Sequence, residues 1–364
     1  MIKLLDRYIL RAFFTNYLVA MLVMIGIYVA LDLFVNLDEF TKVPNEPTIR
    51  IIAKVVSFYA YNTFLYFSQL SGAVILAAAC FTLGRLHRTN EFTAVLASGT
   101  SLYRVASPLL LASLAMNGLW FANQELVLPR IADKLARRHD DIEGRRTFGV
   151  WFRPDRANAL LSATMFSPRT SEMRNVTVIR RDDRSRMIEV IQADRARWDE
   201  DRRVWALDKG ELMKLEADQT GANTERLGRE LLDVYPSDLT PKELSLQQAS
   251  QWTSYVSLPH LTRLQKRFPN STEFVRVKHT RLTTVIINMI MVSLGIPFFL
   301  NRERPPVLVA GGKCLLVCGS CFILTFLCQS VDLTGVDINP ALPAWIPVVL
   351  FAPAAVLLLD GIKT

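Results

Sequence analysis

The stretch "VVSFYAYNTFLYFSQLSGAVILAAACFTLG" occupies residues 55–84 and contains no Asp, Glu, Lys or Arg. A helix needs about 20 apolar residues to cross the hydrocarbon core of a bilayer, and a charge at mid-depth costs about 2.5–3.5 kcal/mol. Five further uncharged runs follow the same pattern, at 12–31, 105–124, 282–301, 314–331 and 338–359. The sequence therefore predicts six transmembrane helices. The buried helices of a large soluble core are the alternative, but such a core rarely produces six runs of this kind.

The distribution of lysine and arginine predicts the orientation of these spans. Ten basic residues and four acids lie in the short segments on one side of the spans, at 1–11, 85–104, 302–313 and 360–364. Three basic residues and six acids lie in the short segments on the other side, at 32–54 and 332–337. Basic loops stay in the cytoplasm, so we expect both termini there. The first run is longer than the apolar core of a signal peptide and is expected to remain as an anchor. Because orientation explains part of the net charge of +8, nucleic-acid binding is not expected.

The polar insert between the third and fourth spans has a different texture. Short β-rich runs separated by charged turns lie at 149–153, 158–166, 175–181, 187–193 and 203–215, and Trp198 and Trp205 flank a polar turn of a hairpin. Two short helices, at 240–252 and 258–268, follow as a collar. The predicted fold is membrane α plus β: spans 1–3 in 1–129, a jelly-roll-like β domain with its collar in 130–278, and spans 4–6 in 279–364.

Catalytic and cofactor motifs are missing from the sequence. The four histidines are scattered over different segments, which does not match metal-ligand spacing. "AGGKCLL" (310–316) departs from a phosphate-binding loop, because Val307 stands where the first glycine belongs and Cys314 replaces the hydroxyl. The chain is thus expected to bind no cofactor and to hydrolyse no ATP. Four of the five cysteines recur at helical spacing from Cys314 to Cys328, which favours a helix contact over a metal or redox site.

The stretch "FTLGRLHRTNEFTAVLASGTS" (81–101) predicts a short cytoplasmic helix between spans two and three, at about 85–99. Asn90 is a candidate N-cap, Glu91 is an acid in the first turn, and Gly99 is a C-terminal stop. Phe92 begins an apolar edge at helical spacing, and Arg85 is free to face outward. Such a helix is suited to receive a push from a soluble partner, or it rests on lipid headgroups; the pattern alone leaves both open.

Charged residues near the outer ends of the spans are the candidates for substrate contact. Glu125 lies at the end of the third span, where it pairs with an arginine or meets a substrate. Arg276, Lys278 and Arg281 lead into the fourth span, where they snorkel as anchors or meet lipid phosphates. No span carries a buried ionisable relay at mid-depth, which argues against a secondary transporter.

Several segments taken in order resemble the LptF/LptG permeases of the lipopolysaccharide export transporter. They are "LDRYILRAFF" (5–14), "LGRLHRTNEFTAVLASGTSLYRVASPLLLASL" (83–114), "ELVLPRIADKLARR" (125–138), "IQADRARWDEDRRVWALDKG" (191–210), "VKHTRLTTVIINMIMVSLGIPFFL" (277–300) and "LPAWIPVVLF" (342–351). The resemblance implies a bacterial inner-membrane subunit with a periplasmic β-jelly-roll. It also implies a second permease subunit, a cytoplasmic ABC ATPase dimer that uses ATP and Mg²⁺, a single-span partner and a periplasmic bridge protein. Lipopolysaccharide would be the cargo.

The same resemblance assigns the helix between spans two and three as the coupling helix that docks into the ATPase. Its docking residues would be Arg85, Arg88, Glu91 and Phe92, with Glu91 as the family's acidic residue. Some relatives carry basic residues at the outer end of the first span, but this chain has "LDLFVNLDEFTK" (31–42) there. Substrate charge would then be met by the other subunit, or by Lys42, Arg50 and the cluster from Arg276 to Arg281. The alternative to a transporter is a membrane-anchored scaffold or sensor whose external β domain binds a lipid.

Overall fold

The computed structural model describes residues 4–41, 47–135, 147–182, 186–217, 224–247, 252–267, 272–300, 306–330 and 339–361. Lys42, expected to contact the substrate, lies outside these ranges. The chain divides into two compact units. A helical unit comprises Met1–Asp38, Val55–Ile131 and Thr253–Thr364, and a β unit comprises Glu39–Lys54 and Ala132–Trp252. The last collar helices and the start of the fourth span thus group with the helices, whereas the predicted middle domain extends to residue 278.

Six helices in the described ranges are long and apolar enough to cross a membrane. Numbered along the chain, the elements of this region are α1 (Leu4–Thr41), α2 (Thr48–Arg88), α3 (Glu91–Ala97), α4 (Leu102–Ala122), a π-helix (Asn123–Val127), α5 (Leu128–Leu135), α9 (Thr272–Phe299), α10 (Val307–Ser330) and α11 (Leu342–Asp360). The π-helix joins α4 and α5 into one span, and α3 is the short helix between α2 and α4. The prediction of six spans is confirmed.

Burial separates the spans into an inner and an outer group. The most apolar window is 39% buried in α2, 44% in the α4–α5 span and 56% in α9, but 11% in α1 and 22% in both α10 and α11. Exposed apolar side chains such as Leu22 and Phe34 of α1 and Leu316 of α10 cover the outer group. In a bilayer these faces contact lipid or another membrane subunit.

Polar side chains inside the spans connect the helices, as expected for groups that must find partners in hydrocarbon. The Asn288 side chain of α9 donates a hydrogen bond to Oδ1 of Asn117 in α4 at 2.8 Å, and Asn16 of α1 donates to Oγ1 of Thr82 in α2 at 3.0 Å. A Cβ atom at Gly72 would collide with the Asn288 amide, so glycine is what allows α2 to approach α9 closely. These contacts determine the register of α1, α2, α4 and α9.

The cysteines lie at a helix contact. Sγ of Cys80 in α2 is 3.5 Å from Sγ of Cys314 in α10, which is 3.9 Å from Sγ of Cys318. Cys321 is buried one turn further along α10. Small polarisable side chains at this contact confirm the packing interpretation of their spacing.

The β unit contains an antiparallel sheet of eight described strands. They are β1 (Phe148–Asp155), β2 (Ala159–Ser167), β3 (Glu172–Arg181), β4 (Met187–Asp199), β5 (Val204–Asp208), β6 (Glu211–Ala217), β7 (Thr224–Leu231) and β8 (Val234–Tyr235). The order is β1-β2-β3-β4-β5-β8, and β6 pairs with β4 and β7. The long strand β4 therefore pairs with β5 through one half and with β6 through the other.

The hairpin between β4 and β5 places the two predicted tryptophans opposite each other. Trp198 pairs with Trp205 in the register, and their ring centroids lie 5.1 Å apart in an edge-on arrangement. Trp205 is fully buried, and its Nε1 donates to the carbonyl of Leu239 at 3.0 Å. The predicted single run at 203–215 is two strands, because Lys209 turns the chain with a φ of 52°.

A buried carboxylate organises the end of β1. Asp155 is 1% exposed, and its oxygens accept hydrogen bonds from the Tyr235 hydroxyl at 2.9 Å, the Ser237 hydroxyl at 2.5 Å and the backbone N–H of Asp238 at 3.0 Å. A buried charge is stable only when its acceptor sites are filled in this way. The side chain thus connects β1 to β8 and to the segment that follows it.

Alkaline pH is expected to weaken the β unit through Tyr235. Burial, followed by the charge of Asp155 and the hydrogen bond to it, raises the pKa of Tyr235 above its usual value. The folded state therefore holds the phenol proton more tightly than the unfolded state, so this contribution is complete below about pH 10 and is lost as the pH rises further. Unfolding midpoints of wild type and Tyr235→Phe, followed by near-ultraviolet circular dichroism, should converge above about pH 10. A gap between the two that stays constant up to about pH 12 would contradict this account.

The collar consists of α6 (Pro241–Leu246), α7 (Trp252–Tyr255) and α8 (Leu258–Arg267). The predicted start at Thr240 is confirmed: its hydroxyl accepts from the Glu243 N–H at 3.2 Å, and the Glu243 carboxylate accepts from the Thr240 N–H at 3.0 Å. This reciprocal capping satisfies two backbone donors at the helix start.

Candidate functional site

The short helix α3 is smaller than the predicted segment 85–99. Helix α2 continues to Arg88, so Arg85 and Arg88 belong to its last turn. Asn90, expected as an N-cap, has a φ of 58°, a left-handed conformation that ends α2 and redirects the chain. Gly99 has a φ of 72° beyond the end of α3, as expected for a helix stop. Two left-handed residues thus set α3 off from both neighbouring spans.

The four residues expected to dock a partner differ in exposure. Arg85 and Arg88 are exposed, and Glu91 is half-buried with its carboxylate near the Tyr8 hydroxyl of α1. Phe92 is 3% exposed and belongs to the apolar core of the helical unit. Its ring therefore anchors α3 to the spans, and the arginines and Glu91 form the polar surface around it.

His87 lies between this helix and α9. Its ring centroid is 4.4 Å from that of Phe92, and its Nε2 is hydrogen-bonded to the backbone carbonyl of Phe299, the last residue of α9. Because a carbonyl can only accept, the imidazole carries its proton on Nε2. No pattern in the sequence singles out His87, since a histidine in the last turn of a helix is also common for its interaction with the helix dipole.

A second polar centre lies where the π-helix interrupts the third span. Oε1 of Glu125 is 3.1 Å from Nη1 of Arg281, and these side chains are 13% and 5% exposed. Oε2 of Glu125 accepts from the backbone N–H of Leu258, at the start of α8, at 2.8 Å. Nη2 of Arg281 donates to the carbonyls of Thr253 and Ser254 at 3.2 and 2.8 Å. We call the Glu125–Arg281 pair with these backbone partners the clamp.

Two further side chains of the π-helix bond to neighbouring elements of the helical unit. Gln124 donates to the Ser254 carbonyl at 2.7 Å, and Asn123 donates to the Phe64 carbonyl of α2 at 3.0 Å. Helices with the wider π bonding pattern are rare and occur frequently at functional sites. Three consecutive side chains thus connect one span to α2, to α9 and to the collar.

The candidate substrate residues separate into two groups. Arg281 is buried, Glu125 is largely buried, and the two are bonded to each other, so Arg281 is the arginine partner considered for Glu125. Arg276 and Lys278 are half-buried in the first turns of α9, and Arg50 is exposed near the start of α2. The structure therefore does not keep the three basic residues of α9 together: Arg281 turns into the core, while Arg276 and Lys278 retain solvent-accessible surface.

An acid of α1, directly after the uncharged run at 12–31, also has protein partners. Asp32 accepts hydrogen bonds from the hydroxyls of Tyr59 and Tyr66 in α2 at 2.8 and 3.5 Å, and from Asn36 at 3.1 Å. This carboxylate connects α1 to α2, a role that its position at the end of an apolar run does not reveal. The unusual acidity of this segment is thus partly structural.

Comparison with known families gives one match. A family model described as lipopolysaccharide export system permease LptF/LptG matches residues 7–360. The match extends over all six spans, the β unit and the collar. No curated protein matches the chain.

Proposed function

Because the chain belongs to the LptF/LptG family of lipopolysaccharide export permeases, we propose that it is one transmembrane half of an ATP-driven lipid extractor. The family is that of a transporter's membrane subunit rather than its ATPase, and the chain is a multi-pass inner-membrane protein. In the proposed cycle, the complex removes lipopolysaccharide from the inner membrane and passes it to a periplasmic bridge protein. Both termini are cytoplasmic, and the β unit is periplasmic.

The observation that carries the proposal is the construction of α3. A seven-residue helix is too short to be stable alone, yet the buried Phe92 ring fixes it against the spans. Arg85, Arg88 and Glu91 surround that anchor with polar surface. This arrangement suits a soluble ABC ATPase dimer, which binds the ATP and Mg²⁺ while this chain binds no cofactor.

Substrate contact is proposed for the basic residues that keep accessible surface. Arg276, Lys278 and Arg50 would meet the phosphates of the lipid, since cations near a membrane surface attract anionic headgroups. Lys42, outside the described residues, is proposed for the same role from its position in the sequence alone. The clamp, which includes Arg281, would hold α9 to the π-helix and to α7 and α8 instead of binding lipid. The exposed apolar faces of α1, α10 and α11 would line a lateral chamber with a second LptF/LptG-type subunit or contact a single-span partner.

Copurification tests this proposal directly. A tagged chain extracted in mild detergent is expected to carry an ABC ATPase, a second permease subunit and bound lipopolysaccharide, identified by mass spectrometry of the intact complex and its lipid. A chain that purifies without any ATPase, from cells whose surface lipopolysaccharide survives its depletion, would instead support the anchored scaffold or sensor.

A further inference from the structure

The contacts of α3 lead to α9 through one side chain. Phe92 is buried against His87, and the His87 imidazole donates to the carbonyl that ends α9. Phe299, which supplies that carbonyl, is 3% exposed. The last turn of α2 lies close to this region, because a Cβ atom at Gly84 would lie 3.9 Å from the Phe299 ring. A movement of α3 therefore reaches the end of α9 through a ring contact and a hydrogen bond.

Helix α9 is also held along its length. Asn288 bonds to Asn117 of α4 in its middle, and Arg281 is held by the clamp near its beginning. Its 28 residues are continuous, and Pro297 near its end carries no N–H for the helix ladder. Pro297 removes one bond of the ladder only in the last turn, and the helix before it is fixed at Asn288 and Arg281, so a displacement at Phe299 acts on the same helix that the clamp ties to α7 and α8.

We propose that His87 is the positioning residue that couples movement of α3 to α9. The inference rests on the proposed docking of an ATPase at α3 and deepens it by naming the route within this chain. The hydrogen bond from Nε2 carries the coupling, and the ring contact with Phe92 keeps the imidazole in place. Loss of the bond would leave the ATPase docked and active while lipid release per ATP falls.

Two substitutions separate the bond from the ring. His87→Phe keeps an aromatic ring against Phe92 but has no donor, whereas His87→Gln keeps an N–H group at the level of Nε2. In the full complex in proteoliposomes, we expect His87→Phe to release about fivefold less lipopolysaccharide per ATP hydrolysed, at the low end of allosteric couplings. His87→Gln should recover the ratio to within about twofold of wild type. The ratio is the useful readout because partial unfolding lowers both rates together.

The matched control is His260→Phe, which makes the same chemical change at an exposed position of α8 and should leave the ratio unchanged. An unchanged ratio in His87→Phe, or an equal loss in His87→Phe and His87→Gln, would overturn the role of the hydrogen bond. A wild-type chain that associates with no ATPase would instead remove the proposed function and this inference with it. Purification of the wild-type chain therefore distinguishes the two failures: the ATPase is absent if the proposed function is wrong, and it is present if only the role of His87 is wrong.

Discussion

Glu91→Lys is expected to abolish lipid export and association with the ATPase while the helical unit stays folded. The substitution reverses the charge at the start of α3 beside the exposed Arg85 and Arg88, so the surface proposed to dock a partner becomes wholly basic. A lysine near a helix N-terminus costs the fold about 0.3–1 kcal/mol, which is too little to unfold it. Copurification of the ATPase should fall to background, and the thermal unfolding midpoint of the chain in detergent should change little.

Two control variants separate docking from local packing. Tyr8→Phe removes the hydroxyl that lies near the Glu91 carboxylate within the chain, and it should leave ATPase association intact. Glu91→Gln keeps the shape without the charge and should reduce association only in part. Normal copurification of the ATPase with Glu91→Lys, or equal losses in Glu91→Lys and Tyr8→Phe, would show that the acid serves packing alone.

The six spans could be predicted because each rests on a local property. A run of about 20 residues without charges indicates a transmembrane helix whatever helices pack against it. The spans at 12–31 and 55–84 could therefore be predicted without knowledge of the tertiary structure. The bounds of α3 depend on less visible features. Arg85 and Arg88 have the composition of a surface helix, but backbone hydrogen bonding keeps them in α2 until the left-handed Asn90.

The candidate sites show the limit of sequence reasoning. An arginine partner for Glu125 could be anticipated, since an acid in a span needs one, but Arg281 lies 156 positions away in the chain. Choosing it over Arg276 requires knowing which face of α9 turns inward. No sequence pattern indicates the π-helix that contains Glu125, and none indicates that the Phe299 carbonyl accepts a hydrogen bond from His87.

In the β unit, the predicted hairpin of Trp198 and Trp205 depended on a short turn and a matching register, both of which are local. The burial of Asp155 could not be anticipated, because its partners come from Tyr235 and the residues after it. The sequence places a charged residue in "RPDR" (153–156), a pattern typical of an exposed turn. A local sequence pattern does not show which distant residues will donate hydrogen bonds to a charged side chain, so the burial of such a charge is the feature hardest to predict from it.

Arg281→Met is expected to cause the largest loss of stability in the helical unit. The substitution leaves the Glu125 carboxylate, 13% exposed, without its cation and removes the Arg281 hydrogen bonds to the carbonyls of Thr253 and Ser254, of which Ser254 keeps its bond from Gln124. Removal of one partner from a buried ion pair costs about 3–5 kcal/mol, because the remaining charge stays buried and uncompensated. The unfolding midpoint in mixed detergent and dodecyl sulfate micelles, followed by circular dichroism, should fall sharply relative to wild type.

The double variant Glu125→Gln/Arg281→Met tests the cause of that loss. The neutral amide introduced by Glu125→Gln keeps an oxygen that can accept from the Leu258 N–H and leaves no charge unpaired, so the double variant should unfold less readily than Arg281→Met alone. Lys278→Met, one turn earlier on the same helix, removes a half-buried cation outside the clamp and should cost little. If Lys278→Met and Arg281→Met lower the midpoint equally, general charge on α9 stabilises the spans, and the clamp has no special role. If only Arg281→Met does so, the pair is what holds α7 and α8 to α9.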